Sequence, residues 1–221
     1  ESEGGGAAVH NTVYIESGTV EGTVEGGVAV GINGVGDGTG DVLSNQVTMS
    51  GGTVYSVFGG ETGEGNANDN VVTIKGSAAV TGKSNAVYGG YTIDGNASGN
   101  IVNIEDDADI HGEIMGGYTR AGSLISGNKV NVTGGNVNEN TVYGVYTAYG
   151  DVLDNQAQSS RGRARQEAAI PIPSMPALPT SERQQGISCT FRIVRKSQGR
   201  PSPGIRAVSY RPKRSSAIRS S

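Results

Sequence analysis

The chain has 221 residues, 37 of them glycine, no tryptophan and only two phenylalanines, Phe58 and Phe191. That composition excludes a large globular core of bulky aromatic residues and leaves either repeated burial of small aliphatic side chains or disorder. The net charge of −4 conceals two kinds of polypeptide: residues 1–155 hold four cations against 19 acids, a net of −15, and residues 156–221 hold 13 cations against two acids, a net of +11.

Residues 1–10 read as a lead-in that starts at Glu1 without a methionine or a visible signal peptide, as in a fragment or a processed product. A repeat then begins at Asn11-Thr12-Val13-Tyr14-Ile15. It recurs as Asn45-Gln46-Val47-Thr48-Met49, Asn70-Val71-Val72-Thr73-Ile74, Asn100-Ile101-Val102-Asn103-Ile104 and Asn128-Lys129-Val130-Asn131-Val132. A sixth start stands at Asn155-Gln156. Successive starts are 34, 25, 30, 28 and 27 residues apart. Inside each unit a small-residue turn leads to one apolar position (Val20, Val54, Val80, Ile110, Val137). A second apolar position follows (Val24, Val57, Val87, Ile114, Val142), then a Gly-Gly pair at 26–27, 59–60, 89–90 and 116–117. Thr62, Thr92, Thr119 and Thr147 come next, ahead of a Gly-rich segment of variable length.

Side chains of a strand alternate between faces, so Val13 and Ile15 point one way and Thr12 and Tyr14 the other. Three short strands per unit cannot bury an apolar face alone; stacking each strand on its counterpart one unit later can. The repeat therefore predicts an all-β, right-handed parallel β-helix (solenoid) of about five coils over residues 11–155. Asn would stack at one corner. Tyr88 and Tyr143 would share one ladder position, and Tyr91, Tyr118 and Tyr146 another. A flexible Gly-rich linker has no need of Val and Ile at the same place in every unit, and propeller blades usually run to about 40 residues.

Val87-Tyr88-Gly89-Gly90-Tyr91-Thr92 and Ile114-Met115-Gly116-Gly117-Tyr118-Thr119 carry a resemblance to the repeat arrays of autotransporter passengers and related large adhesins of Gram-negative bacteria. It covers about residues 11–155. It implies a secreted, surface-displayed stalk, extracellular and outer-membrane-associated through a C-terminal translocator barrel. Residues 156–221 lack the alternating ten-residue strands of such a barrel. The partner implied is a protein or glycan of a host or neighbouring cell surface, met by loops 28–44, 61–69, 92–99 and 119–127. The alternative is a carbohydrate-active β-helix enzyme or a phage tail-spike segment.

Asp151-Val152-Leu153-Asp154-Asn155-Gln156 copies Asp41-Val42-Leu43-Ser44-Asn45-Gln46, and the match then stops within one residue. All seven prolines and the single cysteine, Cys189, follow. A composition change inside a repeat predicts a reading-frame shift near codon 156, and residues 156–221 read as a disordered Arg/Ser/Pro-rich tail. Its Arg161, Arg163, Arg165, Arg211, Lys213 and Arg214 suit nonspecific phosphate contact, but no specific nucleic-acid partner is expected.

The remaining chemistry is sparse. His10 precedes the repeat, and His111 follows an inward Ile110 and should face solvent. Neither is assigned a role in a Ser-His-Asp constellation. Glu105-Asp106-Asp107-Ala108-Asp109 has no EF-hand spacing and reads as a solvated acidic corner. Paired carboxylates for glycoside hydrolysis are not singled out by the sequence. Gly34–Gly38 lacks the lysine of a phosphate loop, and one Thr per coil falls short of the Thr-x-Thr ranks of an ice-binding face. No catalytic, cofactor-binding or metal-ligating residue is assigned, and the chain is read as a non-enzyme without a cofactor.

Overall fold

The computed structural model describes residues 2–3, 5–31, 38–137, 141–159 and 165–166. These residues form a parallel β-solenoid of about four turns. Its first face is a six-stranded sheet of Thr12–Ile15, Gln46–Met49, Val71–Ile74, Ile101–Ile104, Lys129–Val132 and Gln156–Ser159. All pairs are parallel and level, so Val13, Val47, Val72, Val102, Val130 and Ala157 make one row. The alternation read from the sequence holds: Val47, Met49, Val72, Ile74, Val102 and Ile104 are fully buried. Full burial of each such side chain stabilises by about 1.5–3 kcal/mol. The second face stacks Val20, Val54, Val80, Ile110 and Val137. The third stacks Val24, Val57, Val87, Ile114 and Val142. Together they enclose the main core.

Two expectations need correction. Each unit makes four faces, not three. The extra face pairs Ala8–Val9, Val42–Leu43 and Ala67–Asn68 just before the repeat's Asn, and Ala97 and Ile125 continue its buried row. Residues 119–126 of the 119–127 segment are also not a loop. They belong to a strand spanning Ile114–Ser126, which pairs with Thr141–Leu153 across an irregularity between Ala121 and Leu124. Here the chain has a partner of matching length on the next coil, so its backbone groups pair instead of meeting water.

The corner joining the fourth face to the first is built from two residues. His10, Ser44, Asp69, Gly99, Gly127 and Asp154 all take φ from 53° to 69°, and each directly precedes a repeat-start Asn. The Asn side chains then form one continuous hydrogen-bonded ladder. The backbone N–H and Nδ2 of Asn45 both donate to Asn70 Oδ1 at 3.0 Å. Asn70 donates in the same way to Asn100, and Asn100 to Asn128, at 3.0–3.1 Å. The second Nδ2 hydrogen reaches a fourth-face carbonyl of the preceding coil, as from Asn100 to Ala67 O at 2.8 Å. Asn45, Asn70, Asn100 and Asn128 are fully buried, yet their amides are satisfied.

The Gly-Gly pairs lie across the interior from this ladder. A Cβ built on Gly90 would stand 2.6 Å from Asn100 Nδ2, and one on Gly89 would stand 2.3 Å from the carbonyl oxygen of Gly116. The cross-section is pinched there, with the Val/Ile core on one side. On the other side lies a smaller packed cluster of Ala8, Ala29 and Val42, and Thr62, Thr92 and Thr119 are buried as well.

The first sheet runs past the composition boundary. Gln156–Ser159 pairs with Lys129–Val132, with Ala157 in the Val row. Arg165–Gln166 pairs with Thr141–Val142. The rest of the basic segment, where the frameshift and disorder readings fall, lies outside the described residues, as do positions 32–37 of the first loop.

Candidate functional site

In a plain strand, residues three apart point to opposite faces. Tyr88 and Tyr91 are three apart, yet their rings meet edge to face at 5.6 Å. Gly89-Gly90 between them breaks the alternation, so Val87 and Thr92 point inward while both tyrosines point outward. Repeated by every coil, this builds an aromatic cluster on the outside of the solenoid, separate from the main core. The expected ladder positions are the observed ones. Phe58, Tyr88, Met115 and Tyr143 form one row, and Tyr91, Tyr118 and Tyr146 another.

The two rows differ in depth. Phe58, Tyr88 and Met115 are 7%, 1% and 4% exposed, and the Tyr88 hydroxyl donates to Asn85 Oδ1 at 2.7 Å. Tyr91, Tyr118 and Tyr146 lie over them and are half-buried. Their rings are nearly parallel, with Tyr91–Tyr118 centroids 4.7 Å apart at 4° and Tyr118–Tyr146 centroids 5.6 Å apart at 1°. Burial first, then neighbouring phenols and, at Tyr88 and Tyr91, carboxylates, raise the Tyr88, Tyr91 and Tyr118 phenols above their ordinary range, against the opposing charge of Arg120 at Tyr91 and Tyr118. Beside the outer row, Arg120 Nη2 donates to Asp94 Oδ1 at 3.0 Å.

At the N-terminal end of the cluster, carboxylates replace the aromatic rings. Glu25 occupies the row of Phe58, and Glu61 the row of Tyr91. Burial, then the charge of Glu25 and a hydrogen bond between the two carboxyls, push Glu61 from 4.5 up to about 7. The sequence hides this pair because the two residues hold different positions in consecutive units. Together they hold a proton to higher pH than an isolated carboxyl group does. Because the folded pKa is raised, the stability this proton adds is complete below pH 4.5 and is lost as pH rises through about 7. The urea midpoint of the full chain should therefore fall between pH 5 and pH 8, by on the order of 2–3 kcal/mol in stability. Glu61→Gln should flatten that dependence; an unchanged slope would show that the proton sits elsewhere.

The other candidates resolve into structure. The Thr row faces inward: the Thr92 hydroxyl shares its one proton between Gly63 O and Gly65 O, 3.1 and 2.8 Å away, and Thr62 and Thr119 bond likewise to loop carbonyls. A buried row offers no ice-binding face, and neither it nor the Asn ladder can meet a ligand. His10 is a left-handed corner residue equivalent to Asp69. His111 faces solvent as expected, 2.9 Å from Asp109 with both side chains 42% exposed, a pair worth little energetically. In the acidic corner, Asp106 accepts a bond from the Gly76 N–H at 3.3 Å. Among the described residues, no group of three or more His, Cys, Asp or Glu is placed to hold a metal ion. Comparison of the chain with protein-family models, curated proteins and solved structures gives no match, so its fold is assigned from its own strand pairing.

Proposed function

We propose that this chain is a segment of a secreted, surface-displayed bacterial adhesin of the autotransporter-passenger kind, a non-catalytic stalk whose work is display. The observation that supports this best is the level parallel stacking of every coil, locked by the Asn ladder. It fixes outward side chains at a regular interval on a stiff column. The partner is a protein or glycan on another cell's surface. The proposed location rests on the resemblance of the repeat motifs to passenger arrays, and the acidic character of residues 1–155 suits a solvated exterior.

The test is surface accessibility. Antibodies raised against the 221-residue chain should label intact source cells, and external protease should remove the signal. Labelling only after lysis would overturn the location. Release of products from mixed polysaccharides by the purified chain would replace display with enzymatic depolymerisation.

A further inference from the structure

We infer that the outer tyrosine row, Tyr91, Tyr118 and Tyr146 with Glu61, Asp94 and Arg120 beside it, is a binding strip for an extended neutral glycan lying along the solenoid axis. The inference rests on the display reading and deepens it by naming the surface and its ligand class.

The stacking geometry carries the argument. The rings lie face to face, so they cover one another's faces and offer solvent their edges and hydroxyls. The row is thus a rank of phenols advancing one coil at a time, about 4.8 Å. An extended β-1,4-linked sugar chain advances by a similar distance per residue with alternate residues turned over, so each phenol meets one sugar and equivalent hydroxyls recur at every second phenol. The buried layer of Phe58, Tyr88 and Met115 holds the outer rings in place before any ligand arrives, which lowers the ordering cost of binding. Tyrosine suits this role because each ring gives apolar edge area and one polar atom with little conformational freedom to lose.

Charge selects within the class. Glu61 and Asp94 lie beside the row and Glu113 near Tyr88, with Arg120 already bonded to Asp94. These groups accept and donate hydrogen bonds to hydroxyls, and the acidic balance of residues 1–155 disfavours uronic-acid polymers and phosphates.

The experiment titrates the full 221-residue chain with cellohexaose and chitohexaose, read by intrinsic tyrosine fluorescence, which no tryptophan obscures. Affinity should rise from disaccharide to hexasaccharide. The double variant Tyr91→Phe, Tyr118→Phe keeps the stack and removes two hydroxyls. It should weaken hexasaccharide binding by about fivefold or more with its urea midpoint unchanged. Tyr14→Phe, on the first face and 71% exposed, should bind as the parent does. No binding of either hexasaccharide at millimolar concentration, loss-free binding in the double variant, or equal competition by a galacturonate hexamer would each overturn the inference. Failure of display alone reads differently: the antigen would be intracellular while the purified chain still bound the sugar.

Discussion

Asn100→Ala is expected to lower the stability of the full chain by about 4 kcal/mol, measured by urea unfolding followed by far-ultraviolet dichroism. Asn100 Oδ1 accepts from both the backbone N–H and Nδ2 of Asn70, and its own Nδ2 serves Ala67 O and Asn128 Oδ1. Alanine strands two hydrogens of Asn70 in a site with no access to water, and a buried donor left without an acceptor costs about 1–3 kcal/mol. The matched control is Asn11→Ala. Asn11 starts the same ladder but is exposed, and its side chain donates one hydrogen bond, to Asn45 Oδ1. Its loss should cost about 1 kcal/mol or less. Equal effects of the two substitutions would mean that the ladder does not hold the coils together.

The second large effect is steric. Gly89→Ala should destabilise by about 3 kcal/mol or more, although it adds a single methyl group. The new carbon would sit 2.3 Å from the Gly116 carbonyl oxygen and 2.8 Å from Asn100 Cβ. Both obstacles are fixed, one as backbone of the next coil and the other as the stem of a ladder residue. The whole level must therefore open to admit the methyl. Gly22→Ala adds the same group where nothing lies within 4 Å, and its effect should stay within about 0.5 kcal/mol. A thermal melt of the two variants beside the parent separates close approach from any general intolerance of alanine. If both melt alike, the pinch between glycine pair and ladder is not tight.

The legible parts of the fold share one property: they repeat over several residues. Val47/Met49 and Val72/Ile74 declare a two-residue period, and the tyrosine positions follow from alignment of the units. The fourth face was hidden because its strands are as short as Ala67–Asn68, and two residues cannot show a period. The recurring Asn marked its corner, but the left-handed residue ahead of each Asn was hidden, because that position accepts residues as different as His10, Asp69 and Gly127; what they share is a backbone torsion, not a side chain. The direction of the Thr row was obscured by the Gly-Gly pair, which reverses the alternation between Tyr88 and Thr92. The Glu25–Glu61 contact needs two residues at unlike positions of neighbouring units, so it emerges only when the coils are stacked. The depth of the tyrosine rows, which separates a packed ring from a presented one, is a property of the closed circuit and has no counterpart in the linear text.

Level stacking also has a mechanical consequence. Interstrand bonds in a solenoid lie along its long axis, so a pull on the two ends loads one layer's bonds at a time instead of shearing all of them together. Such a tether gives way stepwise. Each step would pay out one repeat of 25–34 residues, a contour of about 85–115 Å, and the remaining layers would stay folded to take up the next jerk. On the display role proposed above, an anchored cell in moving fluid would be held by a line that lengthens before it breaks.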